Sequence, residues 1–159
     1  MLTCIPQSIC SWNFRVPDAS SGPALVEFNF LTEQGRIVLG NVEYAVRKHG
    51  WLSGQWTLER DGESIVEALK PSAMFRSFDV ETGTLKLTVK AASPFRRSFE
   101  ILSNGHLAGT IQPAHLFTRR AFIACDSSVP ELVQLFSFWL AALTWKRAAR
   151  SSNSGTVGA

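Results

Sequence analysis

The chain has 159 residues, of which 45% are hydrophobic and 18% are charged. This length suits one domain and is sufficient to bury a sizeable core. The formal net charge is only +3, which by itself establishes neither a nucleic-acid nor a membrane partner.

The first residues, 1–11, contain neither the basic stretch nor the long apolar stretch of a secretory signal. We predict that they form an N-terminal extension to the domain. The three cysteines, Cys4, Cys10 and Cys125, include no CxxC pair. An odd number without such a pair argues against a secreted disulfide framework and favours a cytoplasmic protein.

From residue 12 to residue 125 the chain is a series of short segments in which apolar and polar residues alternate. Residues 84–90 (TLKLTVK) are the clearest example, with the two-residue period of a half-buried strand. Turn signals such as RDGE and SNG separate the segments. We count ten strands if residues 36–48 form one bulged strand, and eleven if Gly40 and Asn41 form a hairpin turn. Strands without intervening helices indicate an antiparallel meander.

An internal repeat of roughly 21 residues runs through this region. Residues 69–80, 89–101 and 111–123 each leave a strand, pass small residues and a Pro, place a Phe beside an Arg, and re-enter a strand. Residues 46–58 are a looser copy, with Trp51 near the Phe position. A unit of two strands cannot bury its apolar face alone, so neighbouring units must pair side by side.

Residues 128–148 are predicted to form an α-helix. Ser128 and Glu131 have the spacing of a capping box, and Lys146 and Arg147 suit the negative end of the helix dipole. The final residues, 151–159, are small and polar, and we predict a disordered tail.

The helix is apolar on nearly all sides and must lie in a protein core or in lipid. Its narrow stripe of small or polar residues consists of Gln134, Ser137, Ala141 and Thr144. A bilayer span needs about 20 apolar residues, and this shorter run is interrupted, so we favour burial in protein over a tail anchor. A barrel of ten or eleven strands is too wide for its own side chains to fill. The predicted fold is therefore mainly β: a closed antiparallel barrel of 10–12 strands, within residues 12–150, enclosing this C-terminal helix.

The arrangement resembles the tubby-like barrel of tubby C-terminal domains, phospholipid scramblases and LURP-one-related proteins. Units of strand, basic loop and DG-type turn, as in residues 56–70 (WTLERDGESIVEALK), are similar to the scramblase and LURP-one repeats. The resemblance covers residues 12–150 and rests on architecture and repeat pattern. It implies a barrel of twelve strands. No residue here matches the family's phosphoinositide-binding positions, so none is carried over.

In a meander, successive loops alternate between the two ends of the barrel, which separates the charges. The cations predicted at one end are Arg47, Lys48, Lys70, Arg76, Lys90, Arg96, Arg97, Arg119, Arg120, Lys146, Arg147 and Arg150. The acids predicted at the other end are Glu33, Glu59, Asp61, Glu63, Asp79, Glu81, Glu100, Asp126 and Glu131. We therefore predict a barrel with one basic and one acidic end.

The predicted basic end also carries apolar loop residues, namely Trp51, Leu52, Met74, Phe75, Phe95, Leu116 and Phe117. Cations mixed with apolar loop tips suit an anionic lipid surface. The candidate residues for binding lipid head groups or other anions are Lys48, Trp51, Lys70, Arg76, Lys90, Arg96, Arg97, Arg119 and Arg120. In the alternative interpretation, the aromatic side chains pack beneath the loops and the arginines only solvate this end.

Other classes of function have less support in the sequence. The three histidines have no Cys or carboxylate at metal-ligand spacing, and no Walker, GxSxG or HExxH motif occurs. We expect no cofactor, no metal, no catalysis and no nucleic-acid partner. The leading hypothesis is a non-catalytic module, cytoplasmic and peripheral to a membrane, that binds acidic phospholipid. A protein-interaction or structural module is the alternative, and an enzyme ranks third.

Overall fold

The alternating segments form twelve strands, which one helix follows. In the computed structural model, which describes residues 1–29 and 31–155, the strands are β1 (Leu2–Pro6), β2 (Phe14–Val16), β3 (Ala24–Phe28), β4 (Gly35–Leu39), β5 (Val42–His49), β6 (Gln55–Arg60), β7 (Glu63–Leu69), β8 (Ser77–Glu81), β9 (Lys86–Ala91), β10 (Phe99–Ser103), β11 (His106–Pro113) and β12 (Ala121–Cys125). The helix, α1, spans Glu131–Ser154.

Each strand pairs antiparallel with its neighbours in the chain, and β1 pairs with β12, so the sheet closes into a barrel. Side chains alternate between the inside and the outside, as β3 shows: Ala24, Val26 and Phe28 are buried, whereas the residues between them are partly exposed. The predicted mainly-β class, the closed antiparallel barrel and the C-terminal helix are confirmed. The strand count is at the upper limit of the predicted range.

The predicted N-terminal extension over residues 1–11 is wrong, because the first strand of the barrel lies within it. Leu2 is paired with Ile123 of β12, and Ile5 with Arg15 of β2. This short strand is stabilised by two partners, one of them distant in sequence, which its local composition does not reveal. Gly40 adopts a left-handed conformation (φ 58°) in a hairpin turn between β4 and β5, so residues 36–48 form two strands.

The helix fills the barrel. Every residue from Leu135 to Trp145 is buried, and Lys146 is 6% exposed. The hydroxyl groups of its stripe bond within the helix: Ser137 Oγ donates to the Val133 carbonyl at 2.8 Å, and Thr144 Oγ1 donates to the Ala141 carbonyl at 2.7 Å. Burial of these hydroxyls is tolerated because they are hydrogen-bonded. Among the described residues, no helix combines the length and the hydropathy that crossing a bilayer would need.

The ends of the helix differ from the prediction. The helix begins at Glu131 without a side-chain cap, because its carboxylate instead accepts from the main-chain N–H groups of Ser20 and Ser21 at 2.7 and 3.1 Å. The predicted capping box between Ser128 and Glu131 is therefore absent. At the other end the helix continues to Ser154, so the predicted disordered tail is wrong over residues 151–154. Residues 156–159 lie outside the described part of the chain.

Indole groups attach the helix to the barrel wall. Trp139 Nε1 donates to the Glu27 carbonyl at 3.1 Å, and Trp145 Nε1 donates to the Arg97 carbonyl at 3.0 Å. Gly35 makes the first contact possible: a Cβ atom there would lie 2.0 Å from the Glu27 carbonyl oxygen and 2.9 Å from Trp139 Nε1. These hydrogen bonds satisfy the buried indole donors and fix the position of the helix in the barrel.

Candidate functional site

The helix leaves the barrel at the end that receives six of the strand connections. In the meander these join β1–β2, β3–β4, β5–β6, β7–β8, β9–β10 and β11–β12. They comprise residues 7–13, 29–34, 50–54, 70–76, 92–98 and 114–120. We call them the rim loops. The other connections, and the start of α1, lie at the opposite end.

Every rim loop presents at least one exposed large apolar side chain. These nine apolar tips are Ile9, Leu31, Trp51, Leu52, Met74, Phe75, Phe95, Leu116 and Phe117, with exposures from 66% for Phe75 to 101% for Phe117. In the described connections at the opposite end no large aliphatic or aromatic side chain is exposed, although Met1, before β1, and Leu107, in β11, are exposed near that end. The interpretation in which these side chains pack beneath the loops is wrong. Ile9 and Leu31 were missed, because the former lay in the predicted extension and the latter in a turn assigned to the other end.

Arginines of the internal repeat hold neighbouring rim loops together. Arg76, in the β7–β8 loop, donates through Nη2 to the carbonyls of Ser93 at 2.6 Å and Pro94 at 2.8 Å, both in the β9–β10 loop. Hydrogen bonds from a charged donor are stronger than those between neutral groups. Arg76 therefore fixes the β9–β10 loop, which carries Phe95, against the β7–β8 loop.

The same contact recurs in the next two copies of the repeat. Arg97 Nη1 donates to the Thr118 carbonyl in the β11–β12 loop at 3.0 Å. Arg119 Nη1 donates to the Ser11 carbonyl in the β1–β2 loop at 2.5 Å, and its Nη2 bonds the Ile9 carbonyl. Burial, and after it the charge of Arg119, lowers the pKa of Arg97, but a guanidinium stays cationic. We call Arg76, Arg97 and Arg119 the arginine clasps.

Most of the other predicted binding residues also have partners. Lys70 Nζ donates to the Phe75 carbonyl of its own loop at 2.6 Å, and Lys90 Nζ lies 3.7 Å from a Glu100 oxygen on the barrel wall. Trp51, Arg96 and Arg120 are exposed, and within residues 1–29 and 31–155 the side chains of these two arginines have no polar partner. The structure thus brings the predicted cations to one end, except Arg47 and Lys90 on the barrel wall, and most of them already bond to protein groups.

Glu33 lies at the basic end, contrary to the prediction. Its carboxylate accepts from Arg147 Nε at 2.5 Å and Nη2 at 2.7 Å, and from Lys48 Nζ at 2.6 Å. The Arg147 hydrogen bonds, opposed by burial and aided by Lys48, lower the pKa of Glu33 to about 2. The error has a simple cause: treating residues 36–48 as one strand reverses the end at which the preceding turn lies. This ion-pair cluster joins the emerging helix to the β3–β4 loop.

The separation of charge between the two ends otherwise follows the topology. The rim loops contain six cations and one acid: Lys70, Arg76, Arg96, Arg97, Arg119, Arg120 and Glu33. The connections at the opposite end contain acids and no Lys or Arg: Asp18, Asp61 and Asp126. Hydrogen-bonded arginines keep their charge, so the rim is positive even where its donors are used.

Comparisons of the chain with protein-family models, with curated proteins and with solved structures give no match. Among the described residues, no three His, Cys, Asp or Glu side chains come together in a way that could hold a metal ion. The description that the structure supports is a closed antiparallel barrel of twelve strands with one C-terminal helix.

Proposed function

We propose that the protein is a non-catalytic module that docks on an anionic phospholipid surface through its rim loops, peripherally and from the cytoplasmic side. One observation carries the proposal: each of the six rim loops has at least one apolar tip, whereas the described connections at the opposite end have none. Exposed large apolar side chains gathered at one end of a protein are typical of an interaction site. The positive rim charge favours a partner with negative charge at its surface.

Apolar contact would supply most of the binding energy. Full burial of a Phe or Leu side chain contributes about 1.5–3 kcal/mol, and partial insertion of several tips gives a fraction of that for each. A cation close to an anionic bilayer contributes about 1 kcal/mol. The arginine clasps contribute here mainly through their charge, because each already donates to loop carbonyls. The proposed binding is therefore only moderately sensitive to salt and does not require one specific head group.

Co-sedimentation with vesicles tests this proposal. We expect the protein to bind vesicles of phosphatidylcholine with phosphatidylserine more tightly than vesicles of phosphatidylcholine alone. Replacing Trp51 and Phe117 together by Ser should reduce binding at least tenfold. Leu107→Ser is the matched control, because Leu107 is 58% exposed but lies on β11 near the opposite end. Equal binding by the wild type and the double variant would reject docking and leave the protein-interaction module as the alternative.

We also propose that the barrel is a tubby-like barrel. The twelve strands equal the number in that family, and the helix follows all of them and fills the interior. An experimental structure would test this by superposition on known tubby-like barrels. A different strand order around the helix would reject the assignment.

A further inference from the structure

A cavity of about 330 Å³ lies between the exit of the helix and the β1–β2 loop. Residues 10–13 form its loop side, Phe28 lies at the edge of the barrel, and Lys146 and Arg150 belong to the helix. The two cations are four residues apart, so they project from the same face of α1 on successive turns. Among the described residues, no carboxylate lines this cavity.

Lys146 is the buried cation of the cavity. It is only 6% exposed, and its ammonium donates to the Asn29 carbonyl at 3.0 Å. An ammonium has three N–H donors, and within the described residues no second acceptor contacts it. Burial, and after it the charge of Arg150, lowers the pKa of Lys146, and the charge of Glu33 opposes this change. The ammonium also lies 5.2 Å from the centre of the Phe28 ring. A buried cation that is hydrogen-bonded only to a carbonyl is costly, and an anion in the cavity would offset that cost.

Asn13 adds a neutral donor. Its Oδ1 accepts from the Phe28 main-chain N–H at 2.9 Å. Since an N–H group can bond only to the oxygen of the amide, this contact fixes the orientation of the side chain. The Nδ2 group, with two donors, then has no partner among the described residues. The cavity therefore contains side-chain donors from both the loop and the helix, and no side-chain acid.

We infer that this cavity binds a phosphate-type oxyanion, either inorganic phosphate or a phosphate monoester, between Lys146, Arg150 and Asn13. A phosphate dianion matches the two cations and accepts from all three side chains. The cavity is larger than phosphate alone, so a small organic group could extend beside Trp12. This inference does not depend on the proposed membrane docking, because a free phosphate would bind in the same way.

Cys10 provides a direct measurement. It lines the cavity and is exposed, whereas Cys4 is buried and Cys125 half-buried. The neutral reagent N-ethylmaleimide should modify Cys10 several-fold more slowly in millimolar phosphate than in chloride of equal ionic strength. Intact mass and peptide mapping would identify the modified cysteine. Isothermal titration with inorganic phosphate and with glycerol 3-phosphate gives the affinity.

Asn13→Asp is the decisive variant. It keeps an oxygen acceptor for the Phe28 N–H but replaces the Nδ2 donor with a negative charge, and it should weaken phosphate binding at least tenfold. Arg120→Gln is the control, because it removes a rim cation outside the cavity. Lys146→Gln is a further variant, interpreted only where the circular dichroism of the fold is kept. Equal protection of Cys10 in wild type and Asn13→Asp would overturn the inference, as would no protection in the wild type.

Vesicles containing phosphatidic acid distinguish the two sources of phosphate. Protection of Cys10 by free phosphate, lost in Asn13→Asp, supports a soluble ligand. Protection only by these vesicles, again lost in Asn13→Asp, supports a lipid head group. If vesicles still protect Cys10 in Asn13→Asp, the protection comes from docking of the rim loops on the vesicle, and the proposal that the cavity binds phosphate is rejected. The Trp51 and Phe117 double variant should lose vesicle binding but keep phosphate protection, so the two proposals can fail separately.

Discussion

Glu33→Gln should destabilise the protein mainly at neutral pH, because it removes the carboxylate that joins the helix exit to the β3–β4 loop. The hydrogen bonds from Arg147, opposed by burial and aided by Lys48, lower the pKa of Glu33 from 4.5 to about 2. One pKa unit corresponds to 1.36 kcal/mol, so this difference is worth about 3 kcal/mol to the ionised state. The side chain is 24% exposed, which leaves the interaction only partly screened by solvent. We expect a loss of about 2–3 kcal/mol in the free energy of unfolding at pH 7.

The pH dependence follows from the direction of the pKa change. The folded-state pKa of Glu33 lies below the unfolded value, so its stabilisation is complete above the unfolded pKa of about 4.5 and is lost as the pH falls towards 2. The difference in unfolding free energy between wild type and Glu33→Gln should therefore shrink to less than half at pH 3. Urea is the suitable denaturant for these titrations because it is uncharged and does not screen ion pairs.

Glu43→Gln is the matched control for this prediction. Glu43 also accepts from an arginine, Arg36 Nη1 at 3.2 Å, but its side chain is 61% exposed. An exposed pair of this kind contributes about 0–1 kcal/mol. A Glu33→Gln protein as stable as Glu43→Gln at pH 7, or equally destabilised at pH 3 and pH 7, would refute the reasoning.

Three further substitutions test the barrel and its loops. Phe136→Ala, inside the barrel, should lower the free energy of unfolding by about 3–5 kcal/mol; a loss below about 1 kcal/mol would contradict the burial of the helix. Gly35→Ala should be strongly destabilising in urea, since its Cβ would overlap a main-chain carbonyl of β3, whereas Gly83→Ala, with open space around it, should change little. Arg119→Gln should raise amide hydrogen exchange in the β1–β2 loop several-fold, and Arg120→Gln should leave it unchanged; equal exchange would show that the clasp does not hold the loop.

The helix was the most predictive part of the sequence. Phe136, Trp139 and Leu143 lie among apolar residues on nearly every side, and only a closed environment accommodates such a surface. From that requirement and the strand meander, the closed barrel follows. The prediction succeeded because the local sequence alone shows that the helix is apolar on nearly all sides. The strands that bury it do not have to be known to recognise this.

The ends of the elements were less predictable, because they depend on distant partners. Leu2–Pro6 becomes a strand through its pairing with β12. The carboxylate of Glu131 accepts from the N–H groups of Ser20 and Ser21 and does not form a capping box with Ser128. Glu33 was predicted at the wrong end because β4 and β5 were treated as one strand. Counting one strand too few moves the preceding loop to the other end of the barrel. Each of these contacts joins segments that the sequence alone does not bring together.

The cations show a different limit. The repeat correctly predicted an arginine close to the Phe in each copy, but the structure shows that Arg76, Arg97 and Arg119 bind the carbonyls of the adjacent loop. An arginine at a loop end has the same sequence signature whether it binds a ligand or a neighbouring main chain. Lys146 was predicted to be a cation of the helix terminus at the basic end, and nothing in the sequence shows that it lines a cavity with Asn13.

Because every strand precedes the helix in the chain, all twelve strands are synthesised before the helix that fills the barrel. Until Trp139 has emerged, the inward side chains of twelve strands have no apolar surface to cover them. We therefore expect the sheet to stay open until the helix is present and to close in a late step of folding. Nascent chains stalled before residue 131 should accordingly be far more sensitive to protease than chains stalled after the helix has left the tunnel.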